Sequence, residues 1–241
     1  MQSIYQDKYQ ISDELIRIMG QAETACEERF KRFDAQAEYH QIKLLKLFQK
    51  HQITDYHLNG STGYGYGDVG RDALEAIFAD LFGGETALVR SQIVSGTHAL
   101  ALGLLGNLKS GQEMVSAIGR PYDTLQKVIG FHDEKGSLMD TGVSYQEIDL
   151  TSEDKIDLEA LKHKLSKKTG LVLFQRSKGY QWRSSTTIAE LKAAIQIVKD
   201  YDPKIVCMVD NCYCEMIETL EPGEVGADLT AGSLIKNPGG G

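Results

Sequence analysis

The sequence predicts an α/β fold, with a mostly parallel sheet flanked by helices and a helical arm in front of it. Residues 12–50 repeat apolar side chains at helical spacing between charged ones, as amphipathic helices do. From residue 86 onwards, short apolar runs alternate with amphipathic segments, which is typical of the strands and helices of α/β domains. The chain has 241 residues, 41% hydrophobic and 25% charged, a composition typical of globular proteins.

The N-terminal part is predicted to be helical. Residues 12–50 form one or two arm helices, and residues 55–70 are an irregular stretch rich in glycine and tyrosine. Residues 71–82 form an amphipathic helix that Gly83 and Gly84 end, because glycine readily takes the left-handed backbone that closes a helix. We therefore expect a helical arm over residues 1–60 and an α/β domain over residues 61–241.

The α/β domain is predicted from alternating segments. Strands are expected at residues 86–93, 113–118, 145–150, 170–174, 204–210 and 228–235. Helices are expected at residues 97–108, from residue 123 onwards, and at residues 158–165 and 188–199. Parallel sheets bind ligands outside the carboxyl ends of their strands, so the residues that follow these strands are the candidates for function.

Composition excludes several classes of protein. The net charge of −8 argues against nucleic acid as a partner, because binding phosphates needs a surplus of lysine and arginine. The longest apolar run, residues 99–106, is far shorter than the ~18 residues of a membrane span. The N-terminus lacks a basic-then-apolar signal pattern, and we expect a cytoplasmic protein without a membrane partner.

The cysteines predict buried thiols and no metal site. Cys207, Cys212 and Cys214 cluster in the sequence, but no second pair at zinc-ligand spacing accompanies them. Four cysteines in 241 residues are too few for a disulfide scaffold.

Residues 65–70 match the glycine pattern of dinucleotide-binding proteins but lack its context. The segment reads GYGDVG, and the pattern requires a buried strand directly before it. The preceding residues do not form such a strand, so we interpret the segment as a loop that approaches a ligand or a neighbouring subunit.

Ser95, Gly96 and Thr97 lie between a predicted strand and a predicted helix. The first amide groups of a helix are unpaired and favour an anion, and glycine permits close approach of the backbone. The segment is either a phosphate cradle or an ordinary helix cap.

Asp210 and Lys236 each follow an apolar strand. Asp210 is either a turn residue or a carboxylate for a cationic ring nitrogen, which Asn211 would orient. Lys236 is either a surface lysine or an amine that forms a Schiff base, with Ser233 as a further phosphate donor. Tyr122 offers a face on which a flat ring can stack. Together these residues match pyridoxal phosphate.

The motifs that carry these residues resemble a known family. They read YGYGDVGRD, SGTHA, GRPYDTL, VDNCYCE and GSLIKNPGGG. They resemble the fold-type I pyridoxal-phosphate enzymes of cysteine and methionine metabolism, and within them the aluminium resistance protein, or methionine gamma-lyase-like, subfamily. The resemblance implies the large domain of the aspartate aminotransferase-like transferase fold and a carbon–sulfur lyase that eliminates a β or γ sulfur group from a sulfur-containing amino acid.

The resemblance also implies roles for single residues. Lys236 would form the internal aldimine and shuttle the proton, and Asp210 would hold the ring nitrogen. Those implied to bind the phosphate or to stack on the ring are Ser95, Gly96, Thr97, Ser233 and Tyr122. A tyrosine from the neighbouring subunit, Tyr64 or Tyr66, would complete the site, so a homodimer or homotetramer is expected. The family's accompanying arginine is replaced by Asp68, and the nearest arginine is Arg71.

Two further expectations concern the edge of the site. The loop after residues 170–174 offers Gln175, Arg176 and Arg183 as candidates. The family continues past its lysine into a small C-terminal domain that grips the substrate carboxylate, whereas this sequence ends at Gly241, so we expect an incomplete substrate site. An aminotransferase, or a non-catalytic stress or interaction protein that keeps the fold, stays open as an alternative.

Overall fold

The computed structural model describes residues 4, 8–61 and 66–237. Contacts divide the chain into two compact units, Met1–Leu45 and Lys46–Gly241. The predicted functional division, an arm over residues 1–60 and a cofactor-binding domain over residues 61–241, stays a prediction.

The predicted arm contains one long helix. Helix α1 runs without a break over Asp13–Lys50, where the sequence left one or two helices open. Acidic Asp13 and Glu14 stand in its first turn and Lys50 in its last, which suits the helix dipole. Phe30 and Phe33 of this helix are exposed.

The second unit contains a parallel sheet, which confirms the predicted fold class. Its strands are β1 (Glu113–Ser116), β2 (Ser144–Glu147), β3 (Thr169–Gln175), β4 (Val206–Asp210) and β5 (Leu229–Ala231). They are hydrogen-bonded in the order β2-β1-β3-β4-β5, and each pairing is parallel.

Helices cover both faces of this sheet. The helices of this unit are α2 (Val69–Phe82), α3 (Gly96–Asn107), α4 (Asp123–Ile129), α5 (Leu158–Lys164) and α6 (Ile188–Tyr201), with 3₁₀ turns at Asp55–Leu58 and Pro222–Val225. Side chains of α3 and α4 join the apolar cluster on one face of the sheet, and side chains of α5 and α6 join the cluster on the other. In β3, Val172 and Phe174 pack in one apolar cluster and Leu171 and Leu173 in another, because successive side chains of a strand point to opposite faces. A strand buried on both faces is uniformly apolar.

Two predicted strands are wrong in whole or in part. Residues 86–93 run outside the sheet, and the Val89 amide donates to the Glu75 carboxylate at 2.9 Å instead of to a neighbouring strand. The last predicted strand, residues 228–235, is a strand only over Leu229–Ala231. Residues 234–237 are turns, so Lys236 lies on a turn and not at a strand end.

The helix end predicted at Gly83 is confirmed. Gly83 has a φ of 71° and its amide donates to the Ala79 carbonyl, which closes α2 in the left-handed backbone region. Among the described residues, no helix is both long and apolar enough to cross a membrane.

Candidate active site

Asp210 marks the centre of the candidate site. It is the last residue of β4, only 2% exposed, and so stands at the carboxyl edge where parallel sheets bind ligands. Its Oδ1 accepts a hydrogen bond from the Cys212 amide at 3.1 Å. Burial raises the pKa of the Asp210 carboxyl, while hydrogen bonds from Cys212 and the charge of Lys236 lower it by less. A buried carboxyl with so little compensation is suited to a cationic ligand group.

The start of α3 approaches this edge at Gly96. A Cβ atom at Gly96 would lie 3.1 Å from Cys212 Sγ and 3.7 Å from Ser233 Cβ. The segment after β4, the segment after β5 and the start of α3 therefore approach one another at Gly96, which has no side chain. Ser95 caps α3, and its Oγ accepts from the His98 amide at 3.1 Å. The helix-cap interpretation of Ser95 is thus correct. The cap occupies the His98 amide, so an anion at this helix start would meet the amides of Gly96 and Thr97.

Thr97 and Tyr122 lie side by side at the same edge. Thr97 Oγ1 is 3.4 Å from the Tyr122 hydroxyl and 3.2 Å from Thr124 Oγ1. Burial, with smaller contributions from the nearby Asp210 and Cys212, raises the pKa of Tyr122 to about 12, although hydrogen bonds with Thr97 and Thr124 lower it in part. Tyr122 therefore stays a neutral phenol beside Asp210.

Lys236 reaches the site from the turn after β5. Its Nζ lies 4.4 Å from the centroid of the Tyr213 ring, a cation–π geometry. Tyr213 has a φ of 71°, which is uncommon for a residue with a large side chain. The sequence indicated buried thiols on either side of Tyr213 and gave no signal for its backbone or its contact with Lys236.

Glu215 is a second buried carboxyl that sequence reasoning missed. It is 4% exposed, and its Oε1 accepts from the Ser233 amide at 2.7 Å. Burial and the neighbouring Asp210 raise its pKa, and Lys236 lowers it. The only available signal was its place in VDNCYCE, directly after the segment that leaves Asp210.

Arg176 has a structural position. It is 2% exposed, and its guanidinium donates to Asn211 Oδ1 at 2.7 Å, to the Cys214 carbonyl at 3.2 Å and to Glu218 Oε1 at 2.5 Å. The Asn211 amide group in turn donates to Glu221 Oε2 at 3.0 Å. Asn211 therefore braces the segment after β4 through these groups, whereas the sequence suggested that it orients Asp210.

The other loop candidates contact their own loop. The Arg183 guanidinium donates to the carbonyls of Gln175, Ser177 and Ser184. The Gln175 amide group donates to the Ser177 carbonyl at 3.1 Å. These contacts shape the loop after β3, and neither side chain is brought to Asp210.

The tyrosine candidates are expected from a neighbouring subunit, and their role stays a prediction. Tyr66 is 87% exposed, and Tyr64 lies outside the described residues. Asp68, at the place of the family's arginine, caps α2: its carboxylate accepts from the Arg71 amide at 3.1 Å and from Ser61 Oγ at 2.7 Å. A cavity of about 460 Å³ lies beside Asp68, Arg71 and Arg90, but ion pairs with Asp68 and Glu75 neutralise the two guanidinium groups.

The residues gathered at the carboxyl edge fit pyridoxal phosphate. Gly96 leaves room that a Cβ would fill, at a helix start that favours a phosphate. Asp210 provides a buried carboxyl for a protonated ring nitrogen. Lys236 provides an amine, and its charge lowers the pKa of Asp210. The donors and acceptors therefore match the cofactor's phosphate, ring and aldehyde.

Comparison with known proteins identifies relatives. Residues 15–241 match the model of the methionine gamma-lyase family. The chain is 48% identical over 213 residues to the uncharacterized protein YnbB of Bacillus subtilis, covering 88% of this chain and 51% of YnbB. It is similar to a crystal structure from Clostridium novyi described as a carbon-sulfur lyase involved in aluminium resistance, with 42% identity, a TM-score of 0.90, and 96% of this chain and 56% of that chain covered.

A more distant structure shares the fold. The pyridoxal-5'-phosphate dependent protein YhfS of Escherichia coli is 22% identical, with a TM-score of 0.61, over 81% of this chain and 50% of that chain. The chain spans about half the length of the relatives that it matches.

Proposed function

The chain belongs to the methionine gamma-lyase family, and on this premise we propose that it carries the cofactor half of a pyridoxal-phosphate-dependent carbon–sulfur lyase acting on a sulfur-containing amino acid. One observation carries the proposal: a Cβ built on Gly96 would lie within 4 Å of both Cys212 Sγ and Ser233 Cβ, so the start of α3 closely approaches the segments that carry Asp210 and Lys236. The family match over residues 15–241 supports it.

The cofactor is held by groups that already point to one edge of the sheet. Ser233 and Thr97 offer hydroxyl groups, and the amides at the start of α3 offer the positive end of a helix, to a phosphate. The Tyr122 ring offers a stacking face. The Asp210 carboxylate would hold the ring nitrogen in its protonated form. Bound pyridoxal phosphate supplies an electron sink for the negative charge left when an amino acid loses its α proton.

Lys236 has two tasks in this proposal. Its Nζ would be the amine that anchors the cofactor, and it would also be the base that takes the α proton of the amino acid. Both tasks need a neutral amine near the substrate. The Tyr213 ring, 4.4 Å from Nζ, keeps the lysine side chain on this side of the turn.

The proposal includes an assembly and a compartment. We infer a homodimer or homotetramer in which a tyrosine of one subunit, Tyr64 or Tyr66, completes the other's site. The cysteines Cys26, Cys207, Cys212 and Cys214 are free thiols, the usual state in a reducing cytoplasm.

The first test is to trap the cofactor. The purified chain is incubated with pyridoxal phosphate, reduced with borohydride and mapped by peptide mass spectrometry. We expect the pyridoxyl group on Lys236 and its loss in Lys236→Ala. Lys178→Ala is the matched control, because Lys178 also faces an aromatic ring, that of Trp182 at 5.4 Å, and should leave the labelling unchanged. A label spread over surface lysines and missing from Lys236 contradicts the proposal.

The reaction itself is tested on a chain extended to the length of the relatives. A lyase converts a sulfur-containing amino acid and water into a thiol, ammonia and a keto acid, without a second substrate. Formation of keto acid only when a second keto acid is supplied would assign the protein to the aminotransferases. A cofactor-loaded protein that is inert toward a panel of amino acids would favour the non-catalytic alternative.

A further inference from the structure

The turn that carries Lys236 has a defined hydrogen-bonded shape. We call residues 233–237 the lysine turn. Within it, the amides of Lys236 and Asn237 both donate to the Ser233 carbonyl, at 2.9 and 3.2 Å. The phosphate-facing Ser233 and the amine-bearing Lys236 are therefore parts of one local structure, and a shift of Ser233 moves Lys236 with it.

The segment after β4 holds this turn at both ends. Glu215 Oε1 accepts from the Ser233 amide at 2.7 Å. At the other end, the Asn237 amide group donates to the carbonyls of Tyr213 and Glu215, each at 3.1 Å. Gly232 makes the first contact possible, because a Cβ there would lie 2.8 Å from Glu215 Oε1.

The Glu215 carboxyl is used only in part by this contact. Its Oε2 is buried without a hydrogen-bond partner among the described groups, and an ionised carboxylate in that position is costly. Burial, and to a lesser extent Asp210, raises the pKa of Glu215, while the hydrogen bond from the Ser233 amide and the charge of Lys236 lower it in part. A neutral carboxylic acid still accepts from the Ser233 amide through its carbonyl oxygen.

We propose that Glu215 is a positioning residue, whose carboxyl group fixes Ser233 and, through the lysine turn, the place of Lys236 relative to Gly96 and Asp210. The contact also occupies the Ser233 amide, which leaves the Ser233 hydroxyl as that residue's donor toward a phosphate. The effect on cofactor capture rests on the proposed function, whereas the effect on the turn does not.

The test compares Glu215→Ala and Glu215→Gln in the full chain with two readouts. The first is amide hydrogen exchange of residues 233–237 without cofactor, and the second is the rate of borohydride-trapped labelling of Lys236 at limiting pyridoxal phosphate. We expect Glu215→Ala to speed amide exchange of the turn by about tenfold and to slow labelling of Lys236 by about tenfold, because the variant loses one buried hydrogen bond. Glu215→Gln keeps an acceptor oxygen, so both readouts should stay within about threefold of wild type.

A control variant and a second variant at the same contact separate a specific effect of Glu215 from a general loss of stability. Glu218→Gln weakens the contact with Arg176 on the same segment and should change neither readout at the lysine turn. Gly232→Ala crowds Oε1 without removing it and should act like Glu215→Ala, even if Glu215→Ala fails to fold. Unchanged exchange and labelling in Glu215→Ala, or a Glu215→Gln as impaired as Glu215→Ala, would overturn the proposal. If wild type takes no label, the proposed function fails, and the exchange readout alone decides the role of Glu215.

Discussion

At the scale of the residue, Asp210 shows a conflict between stability and binding. A carboxyl that is 2% exposed stays ionised only when a partner compensates for its lost hydration. In the chain without cofactor, Cys212 and the distant charge of Lys236 supply part of this compensation. Such a group is an expected place for stability to be given up for function.

This conflict predicts the effect of Asp210→Asn on stability. The pKa of Asp210 is raised on folding, so its contribution to stability is full below the ordinary aspartate pKa of about 4 and is lost as pH rises through the raised value. Asparagine has no such loss and keeps the acceptor for the Cys212 amide. The variant should therefore be the more stable chain at neutral pH, by about 1 kcal/mol or more, while losing the capture of pyridoxal phosphate.

Urea unfolding between about pH 4 and pH 8 measures this difference. The advantage of the variant should grow with pH and be smallest at the acid end. Glu153→Gln, at an exposed position, is the control and should follow wild type. If the Asp210→Asn variant loses stability with rising pH as steeply as wild type, then other groups of the chain already stabilise the ionised Asp210 carboxylate, and the prediction is wrong.

At the scale of the element, the site depends on how closely the start of α3 approaches the segment after β4. The distance of 3.1 Å between a Cβ built on Gly96 and Cys212 Sγ is shorter than an ordinary van der Waals contact. The glycine therefore sets the spacing between the phosphate-facing helix start and Asp210.

A double-mutant cycle tests this spacing. Gly96→Ala should destabilise the chain by about 1–2 kcal/mol, because inserting a methyl group into a packed contact forces its neighbours apart. Cys212→Ala removes the sulfur that the methyl group meets, so Gly96→Ala should cost much less in that background. Equal costs in both backgrounds, measured by chemical denaturation, would mean that Gly96 and Cys212 do not touch.

The elements also show which parts of this fold a sequence can predict. Strand β3 was predicted from the short apolar run over residues 170–174, and the structure shows a strand whose seven residues are all buried, as expected of a strand covered on both faces. Residues 86–93 were predicted wrongly because an apolar run does not tell whether a neighbouring strand is present to accept its hydrogen bonds. Helix bounds were close, since caps such as Ser95 and Gly83 have local signals.

The candidate site also contains residues that the sequence predicted and residues that it missed. Asp210 was predicted to end an apolar strand, and it does, whereas Lys236 lies on a turn after β5; the roles of both residues stay predictions. Glu215 and Tyr213 were missed, because their roles come from contacts with a turn some twenty positions away and from a left-handed backbone that tyrosine seldom adopts. Long-range pairing of this kind leaves no periodicity in the sequence.

At the scale of the whole molecule, the chain spans about half of its relatives, and the site described above contains the cofactor groups. Each arginine of the loop after β3 donates to groups of its own chain, so neither is an evident partner for a substrate carboxylate. The expectation that the further length of the relatives binds the carboxylate of the amino acid stays a prediction.

A chimera tests this prediction by joining to residue 241 the further part of the Clostridium novyi relative. An arginine–carboxylate contact contributes about 1.5–3 kcal/mol, so the chimera should bind a sulfur-containing amino acid at least about tenfold more tightly than the 241-residue chain. The measurement is the change in cofactor absorbance on titration with the amino acid, with Lys236→Ala in the chimera as the control that removes the cofactor's anchor. Equal affinity in the two proteins would place the carboxylate contact within residues 1–241 or in a second copy of the chain. The segment around the exposed Tyr66 would then be the first place to search, because the sequence predicts that it approaches a ligand or a neighbouring subunit.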